Sequence, residues 1–145
     1  MCMLDLEIAK DRLSEDGLTL SIVKNGEVVF ETVSHGVSGF LEAVEKFGDE
    51  LEGASVADRI VGRAVALLCV YAKVGAVYAM VLSRNAKELL EENMVHYEWK
   101  RLVENILNVN KTELCPFERL AMEISSPRDA YERLKALQTS LRCGG

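Results

Sequence analysis

Residues 18–33, LTLSIVKNGEVVFETV, decide the fold because they predict the first pair of strands in a β-sheet. Two runs rich in β-branched and apolar residues flank the dipeptide Asn25-Gly26. Asn-Gly is favoured in type I′ hairpin turns, where both central residues need a positive φ. We therefore predict antiparallel strands at about 18–24 and 27–33.

Helices are predicted on both sides of this hairpin. Residues 1–17 place Leu4, Ile8 and Leu13 near one another on a helical stripe, which is typical of an amphipathic helix and not of a signal peptide. Residues 39–51, GFLEAVEKFGDEL, repeat this apolar spacing over a shorter length. Both helices are expected to pack one face against the sheet.

The most apolar part of the chain predicts a long helix followed by a buried strand. The helix is expected from about Val56 to Lys73, and its second half is apolar on all sides, which predicts a central helix with Cys69 buried in it. Residues 76–83, AVYAMVLS, form a near-continuous apolar run, as in a parallel strand covered on both faces. Lys73 and Gly75 interrupt the apolar stretch, so a membrane span is not expected.

The remaining segments complete a predicted α/β fold in one domain, residues 1–145. They comprise a helix at 84–93, a short strand at 94–99, an ambiguous and partly helical segment at 100–113, and helices at 116–124 and 128–141. This order predicts a three-layer α/β/α sandwich whose mixed sheet begins with the antiparallel hairpin. Ligand sites in such sheets lie at the carboxyl ends of the parallel strands.

Composition narrows the classes of function. The net charge of −6 argues against nonspecific nucleic-acid binding, which needs a surplus of Lys and Arg. The four cysteines show no paired spacing, so we expect a reduced, cytoplasmic protein. His35 and His96 have no Cys or His at ligand spacing, and the phosphate-binding and hydrolase motifs are missing. No metal and no cofactor are therefore expected.

Cys115 is the first candidate functional residue. It precedes Pro116, a residue typical of the first helical position, so its sulfur is expected near the unpaired N–H groups of a helix start. Such a position favours a thiolate nucleophile or an anion site. Glu118 follows after three residues as a proton-transfer partner or as an acid that complements the helix dipole. The structural alternative is a half-buried small residue beside a solvated charge, and a pairing of Cys115 with His35 depends on the fold.

A second candidate lies at residues 58–64. On the predicted helix, Arg59 and Arg63 are spaced i, i+4 near the start, where cations oppose the macrodipole, and Gly62 weakens the helix. These unfavourable choices indicate an anion site or a close backbone approach. The alternative is that Asp58 pairs with one of the two arginines on a solvated turn.

Three segments together resemble a known family: DRIVGRAVALL at 58–68, GAVYAMVLS at 75–83 and LCPFE at 114–118. They are similar to a family of small bacterial and archaeal proteins of unknown function in the cytidine-deaminase-like superfamily. The resemblance implies an α/β/α sandwich in which two helix starts face each other across the site.

The chain departs from the zinc pattern of that superfamily. A zinc deaminase uses a His or Cys ligand with a Glu in an H-x-E-type pair, and then a P-C-x-x-C pair. Here Gly62–Ala64 stands where the H-x-E-type pair is expected. At the P-C-x-x-C pair, Cys115 matches one Cys and Glu118 takes the place of the other. Classical zinc-dependent deamination is therefore not expected.

These observations predict a deaminase-like domain without zinc, with a pocket for a small anionic or nucleotide-like ligand. Cys115 would be the reactive thiol, Glu118 its partner, and Arg63 with Arg59 the anion clamp, flanked by Asp58 and Gly62. The alternatives are a non-catalytic ligand-binding or sensor module, and a homodimeric interaction protein in which Cys115 is structural.

Overall fold

The structure is a computed structural model, and it describes residues 3–15, 17–34, 37–107 and 113–144. Its elements, in chain order, are α1 (Met3–Glu15), β1 (Leu20–Lys24), β2 (Glu27–Thr32), α2 (Val37–Phe47), a 3₁₀ helix (Gly48–Leu51), β3 (Ser55–Val61), α3 (Arg63–Ala72), β4 (Ala76–Ser83), α4 (Arg84–Glu92), β5 (His96–Val103), α5 (Pro116–Ala121) and α6 (Pro127–Gly144).

The strands form one mixed sheet in the order β2-β1-β3-β4-β5. β1 is antiparallel to both β2 and β3, whereas β3, β4 and β5 are parallel to one another. Asn25 and Gly26 turn the hairpin with φ values of 55° and 79°. The predicted hairpin and mixed sheet are confirmed, because the Asn-Gly turn leaves the two strands antiparallel neighbours.

Helices cover both faces of this sheet, so the predicted sandwich is confirmed. On one face α1 packs Ala9 and Leu13 against Val23 of β1 and Ala57 of β3. The other face carries the larger core, in which Phe40 of α2 and the apolar residues of α3 are fully buried. α5 and α6 pack on α3, which is therefore covered on most sides, and Cys69 is buried as predicted.

The long helix predicted from Val56 to Lys73 is wrong in its first third. Ser55–Val61 is strand β3, which lies between β1 and β4 in the middle of the sheet. A central strand is hydrogen-bonded on both sides, and this pairing overrides the low strand propensity of residues such as Asp58. α3 begins only at Arg63, after Gly62 in an extended conformation (φ −103°, ψ −171°).

The buried stripe of α1 also differs from the prediction, since Leu4 is 64% exposed. Its place is taken by Asp5, which is only 3% exposed. The Asp5 carboxylate accepts the backbone N–H groups of Asn25 and Gly26 at 2.9 and 2.8 Å. Two hydrogen bonds explain why a charged residue is buried here. Asp5 therefore ties α1 to the turn of the hairpin.

The ambiguous segment at 100–113 is not helical where the structure describes it. β5 extends to Val103, and Leu107 forms a β-bridge with Leu114. α2 begins at Val37, slightly before the predicted start at residue 39. Among the described residues, none of the helices has the length and apolar character needed to cross a membrane.

Candidate ligand site at the start of helix α3

The candidate site lies where β3 ends and α3 begins. This junction is at the carboxyl edge of the parallel strands, where ligand sites of open α/β sheets are found. Gly62 is the N-cap of α3 and has no side chain with which to accept a hydrogen bond. The first N–H groups of α3 therefore need an acceptor from elsewhere in the chain.

Glu118, in the first turn of α5, supplies that acceptor. The N–H of Arg63 donates to its Oε2 at 2.9 Å, and the N–H of Ala64 donates to its Oε1 at 2.8 Å. The Glu118 side chain reaches across 54 and 55 positions in sequence to do so. One carboxylate thus joins the starts of α3 and α5.

The close approach of Glu118 explains why Gly62 stands at this position. A Cβ added to Gly62 would overlap Cδ of Glu118 and lie 2.5 and 2.6 Å from its two carboxylate oxygens. Because real Cβ atoms do not make such contacts, any other residue at position 62 would displace the carboxylate. The junction therefore has a space the size of a carboxylate group, with two N–H donors aimed into it.

Burial controls the acidity of Glu118. The side chain is 6% exposed, and desolvation raises its pKa above the ordinary value of a glutamate. The hydrogen bonds from Ala64 and Arg63, together with the Arg63 charge, act in the opposite direction but do not outweigh burial. Glu118 is consequently a carboxyl group that gives up its charge more readily than an exposed glutamate.

The side chain of Arg63 holds the surrounding elements together. Its Nε donates to the carbonyl of Ala121 at 2.8 Å, Nη1 to Asn85 Oδ1 at 2.9 Å, and Nη2 to the carbonyl of Ile124 at 2.6 Å. These contacts fasten the end of α5 and the start of α4 to α3. Three of the five guanidinium N–H groups are used, and the other two have no partner among the described residues.

Asp58 lies in the middle of β3 and not on a solvated turn. It is 7% exposed, and burial raises its pKa to about 7, although the backbone N–H groups of Ile60 and Arg59 lower it. The pKa of Cys69 in α3 is also raised, first by burial and then by the charge of Asp58. The alternative in which Asp58 pairs with an arginine on a solvated turn is wrong, because within the described residues Asp58 bonds to backbone groups instead.

Arg59 does not join Arg63. It lies on β3, where its Nε donates to the carbonyl of Leu18 at 2.5 Å and its Nη1 approaches Met80 Sδ at 3.8 Å. Met80 packs against the cluster beneath α1, so Arg59 points to the opposite face of the sheet from α3. The predicted helical i, i+4 spacing of the two arginines is wrong because position 59 belongs to a strand.

Cys115 is the N-cap of α5, one turn before Glu118. It is a free, half-buried cysteine, and its side chain makes no capping hydrogen bond. Its backbone N–H donates to the carbonyl of Ile106 at 3.0 Å. The hypothesis of a Cys115–His35 pair involves His35, which lies outside the described residues.

The described residues offer no cluster of three or more His, Cys, Asp or Glu side chains that could hold a metal ion. His96 lies on β5, with its Nε2 2.9 Å from Glu98 Oε2. At the junction itself the soft donor is Cys115 and the nearby carboxylate is Glu118, which already accepts two N–H groups. This donor set does not match a three-ligand catalytic zinc site.

A cleft of about 410 Å³ opens at the other end of α3. Tyr71 and Tyr131 stack there at 5.3 Å, and Lys73 is on the same wall. Three acidic residues also line the cleft: Glu45, Asp49 and Glu52. Their charge disfavours an anionic ligand, so the cleft does not compete with the α3 start for that role.

The fold and the junction define an α/β/α domain in which one carboxylate bridges two helix starts. The chain belongs to the TM1506 family, a domain of unknown function (DUF1893), whose model matches residues 8–137. It is similar to the crystal structure of a DUF1893 family protein from Thermotoga maritima, with 26% identity and a TM-score of 0.86. That match covers 94% of this chain and 91% of the other.

A second solved structure is Acinetobacter baumannii RibD, with 18% identity and a TM-score of 0.44. The match covers 85% of this chain and 36% of that one. No curated protein matches the sequence.

Sequence reasoning singled out Gly62, Arg63, Cys115 and Glu118, and the structure places all four around one junction. It missed Asn85, which accepts from Arg63. The position of Asn85 just after the apolar strand 76–83 was an available signal, because polar residues that follow parallel strands lie at the ligand edge of the sheet.

Proposed function

We propose that this protein is a deaminase-like domain without zinc that binds a small anionic or nucleotide-like ligand at the junction of α3 and α5. The observation that carries the proposal is the carboxylate-sized position beside Gly62, which Glu118 fills and at which two backbone N–H groups point. The nucleotide-like character of the ligand rests on the resemblance to the deaminase-like superfamily alone.

In this proposal the Glu118 carboxylate occupies the position that an anionic group of the ligand would take. The start of a helix favours negative charge, because its N–H groups are free and its dipole is positive there. A carboxylate or phosphate of the ligand would displace Glu118 and accept the N–H groups of Arg63 and Ala64. The two remaining guanidinium N–H groups of Arg63 would add contacts. Because burial disfavours the charged form of Glu118, its return to solvent would offset part of the cost of breaking the two hydrogen bonds.

Thiol-dependent chemistry at Cys115 is the second candidate, and the free, half-buried thiol one turn from Glu118 favours it. Once displaced, Glu118 would be able to accept the proton of Sγ. The sulfur would then attack an electrophilic carbon of the ligand, and Glu118 would return the proton to the leaving group. Transfer or hydrolysis of a small acyl-type group is the reaction class that fits.

The test of binding uses Glu118→Ala, which empties the space beside Gly62. We expect formate, acetate or phosphate to raise the melting temperature of this variant by several degrees more than that of the wild type, since they restore an acceptor for the two N–H groups. Glu132→Ala, at an exposed position of α6, is the matched control. Equal responses of the three proteins to all anions would refute the site.

A second set of measurements distinguishes ligand binding from thiol-dependent chemistry. Native mass spectrometry of the freshly purified protein detects a retained ligand, and iodoacetamide labelling reports the reactivity of Cys115 against Cys115→Ser. Labelling of Cys115 no faster than that of a model thiol near neutral pH would exclude the catalytic candidate while leaving the binding proposal intact.

A further inference from the structure

β5 forms one edge of the sheet. It pairs with β4 on one side, and within the described residues no strand pairs with its other side. Such an edge presents a row of unpaired N–H and C=O groups to which another strand can bind. Trp99 on this strand is 40% exposed, and its ring stacks on Tyr97 with 5.9 Å between centroids.

The hydrogen bonds to β4 determine which groups of β5 point outward. The N–H of His96 donates to the carbonyl of Gly75, on the β4 side, at 3.3 Å. Because successive residues of a strand direct their N–H and C=O groups to opposite sides, Tyr97, Trp99 and Arg101 present theirs to the open edge.

The side chains of β5 also divide between the two faces of the sheet. Glu98 lies 3.2 Å from Lys10 of α1, so it is on the α1 face. Lys87 of α4 lies 5.6 Å above the ring of Trp99, so Trp99 is on the opposite face. Alternation then places Lys100 on the α1 face with Glu98, and Arg101 on the α4 face with Trp99.

We propose that β5 pairs with β5 of a second copy of this chain, antiparallel and centred on Trp99, so that two sheets join into one of ten strands. Trp99 would lie opposite Trp99 of the partner subunit, and Tyr97 opposite Arg101 of the partner subunit. Glu98 would lie opposite Lys100 of the partner subunit, and the two-fold axis would produce this ion pair twice.

Charge disfavours the two neighbouring registers. The two-fold axis that relates the two copies is perpendicular to the joined sheet. Residues opposite each other therefore have their side chains on the same face of the sheet. The axis passes between one residue and the same residue of the partner subunit, and that residue is the centre of the register. A centre at Lys100 would place two lysines opposite each other, and a centre at Glu98 would place two glutamates opposite each other. Like charges directly opposite are unfavourable, whereas opposite charges and aromatic pairs stabilise.

Glu98 already contacts Lys10 at 3.2 Å and His96 at 2.9 Å, so in this pairing its carboxylate would be shared with Lys100 of the partner subunit. Lys100 and Arg101 are exposed and form no ion pair within the described part of the chain. The pair of positions 98 and 100 does not exchange hydrogen bonds in this register, so its Cα atoms come within about 4.5 Å and the side chains meet. The competing explanation is that Lys100 and Arg101 protect the edge from association, which would leave the protein monomeric.

The first test is the mass of the full chain in solution, by sedimentation velocity over a range of concentrations. We expect twice the 16.1 kDa of one chain. Lys100→Glu places Glu opposite Glu98 in both pairs, so the dissociation constant should rise about tenfold or more. Arg133→Glu on α6 makes the same charge change at an exposed position away from β5 and should leave the constant unchanged. A single-chain mass for the wild type, or equal constants for the two variants, would overturn the proposal.

The second test reads the register by cross-linking, in a chain whose Cys2, Cys115 and Cys143 are changed to Ser. Trp99→Cys places two Cα atoms about 5.5 Å apart across the axis, within disulfide range. Lys100→Cys places the two Cα atoms of position 100 about 8 Å apart, which is beyond disulfide range. Oxidation should link the first variant and not the second. The opposite result would overturn the register, and cross-linking of neither would overturn the interface.

Discussion

Asp58 on β3 and Glu118 on α5 are two buried carboxyl groups, and both have a raised pKa because burial disfavours their charge. Neither has a salt-bridge partner among the described residues, and each is held by backbone N–H groups. A fold retains such groups at a cost in stability. Of the two, Glu118 lies at the carboxyl edge of the parallel strands, and acids with a perturbed pKa cluster at functional sites.

Asp58 should make the stability of this protein fall as the pH rises. Its pKa is 3.8 in the unfolded chain and about 7 in the folded protein, so the folded state holds the proton longer. The stabilisation is complete below pH 4 and is lost as the pH rises to about 7, by up to ~4 kcal/mol at 1.36 kcal/mol per pKa unit. Asp58→Asn should flatten this dependence between pH 5 and 8.

Urea unfolding at several pH values measures this effect. The raised pKa of Glu118 also makes stability fall as the pH rises, so part of the pH dependence will remain in Asp58→Asn. Glu132→Ala is the control for removal of an exposed acid. A wild-type profile that rises between pH 5 and 7, or an unchanged slope in Asp58→Asn, would contradict the prediction.

At the scale of elements, the α3–α5 joint depends on one glycine and one glutamate. Gly62 leaves room for the Glu118 carboxylate, which bonds to the first two N–H groups of α3. Arg63 then fastens the end of α5 to α3 from the other direction. α5 has six residues and would be marginal alone, so this joint positions it.

Gly62→Ala should destabilise the protein by about 2–4 kcal/mol. The added Cβ displaces the carboxylate and breaks two hydrogen bonds to a charged group. In a Glu118→Ala background the same change should cost less than about 1 kcal/mol, because nothing remains to be displaced. Chemical denaturation of the four proteins forms a double-mutant cycle. Additive costs would show that the two residues do not act together.

The elements that could be predicted from sequence are those with strong local signals. Asn25-Gly26 identifies the hairpin, and the apolar run at 76–83 identifies β4. β3 could not be recognised, because its Asp58 and Arg59 are polar and the buried strand merges into the helix after Gly62. The contact of Glu118 with the start of α3 could not be predicted either, since it depends on how Arg63 and Glu118, 55 positions apart in sequence, meet in the fold.

At the scale of the whole molecule, the core of the described residues is built from apolar side chains. Thirty-six apolar side chains are buried among the described residues. Thirty of them form a continuous cluster between the sheet and α2 to α6, and four form a second cluster beneath α1. The sheet order could be anticipated only in outline, because the pairing of β1 with β3 is set by tertiary packing.

We predict that removal of metal will not affect this protein, because the described residues offer no cluster of three or more His, Cys, Asp or Glu side chains that could hold a metal ion. We expect less than about 0.1 equivalent of zinc in protein purified without chelator, and a melting temperature that EDTA shifts by under about 1 °C, since a structural zinc would contribute folding free energy. Elemental analysis measures the zinc content, and calorimetry measures the melting temperature with and without EDTA. Stoichiometric zinc, or a clear loss of stability with EDTA, would contradict the zinc-free assignment.

The Glu118 link has a consequence for synthesis on the ribosome. The chain up to β5 contains the whole sheet and α3, but not the acceptor for the first two N–H groups of α3. A nascent chain that has just completed β5 would therefore expose the amides of Arg63 and Ala64 to hydrogen exchange. They become protected only when the last quarter of the polypeptide emerges and α5 docks.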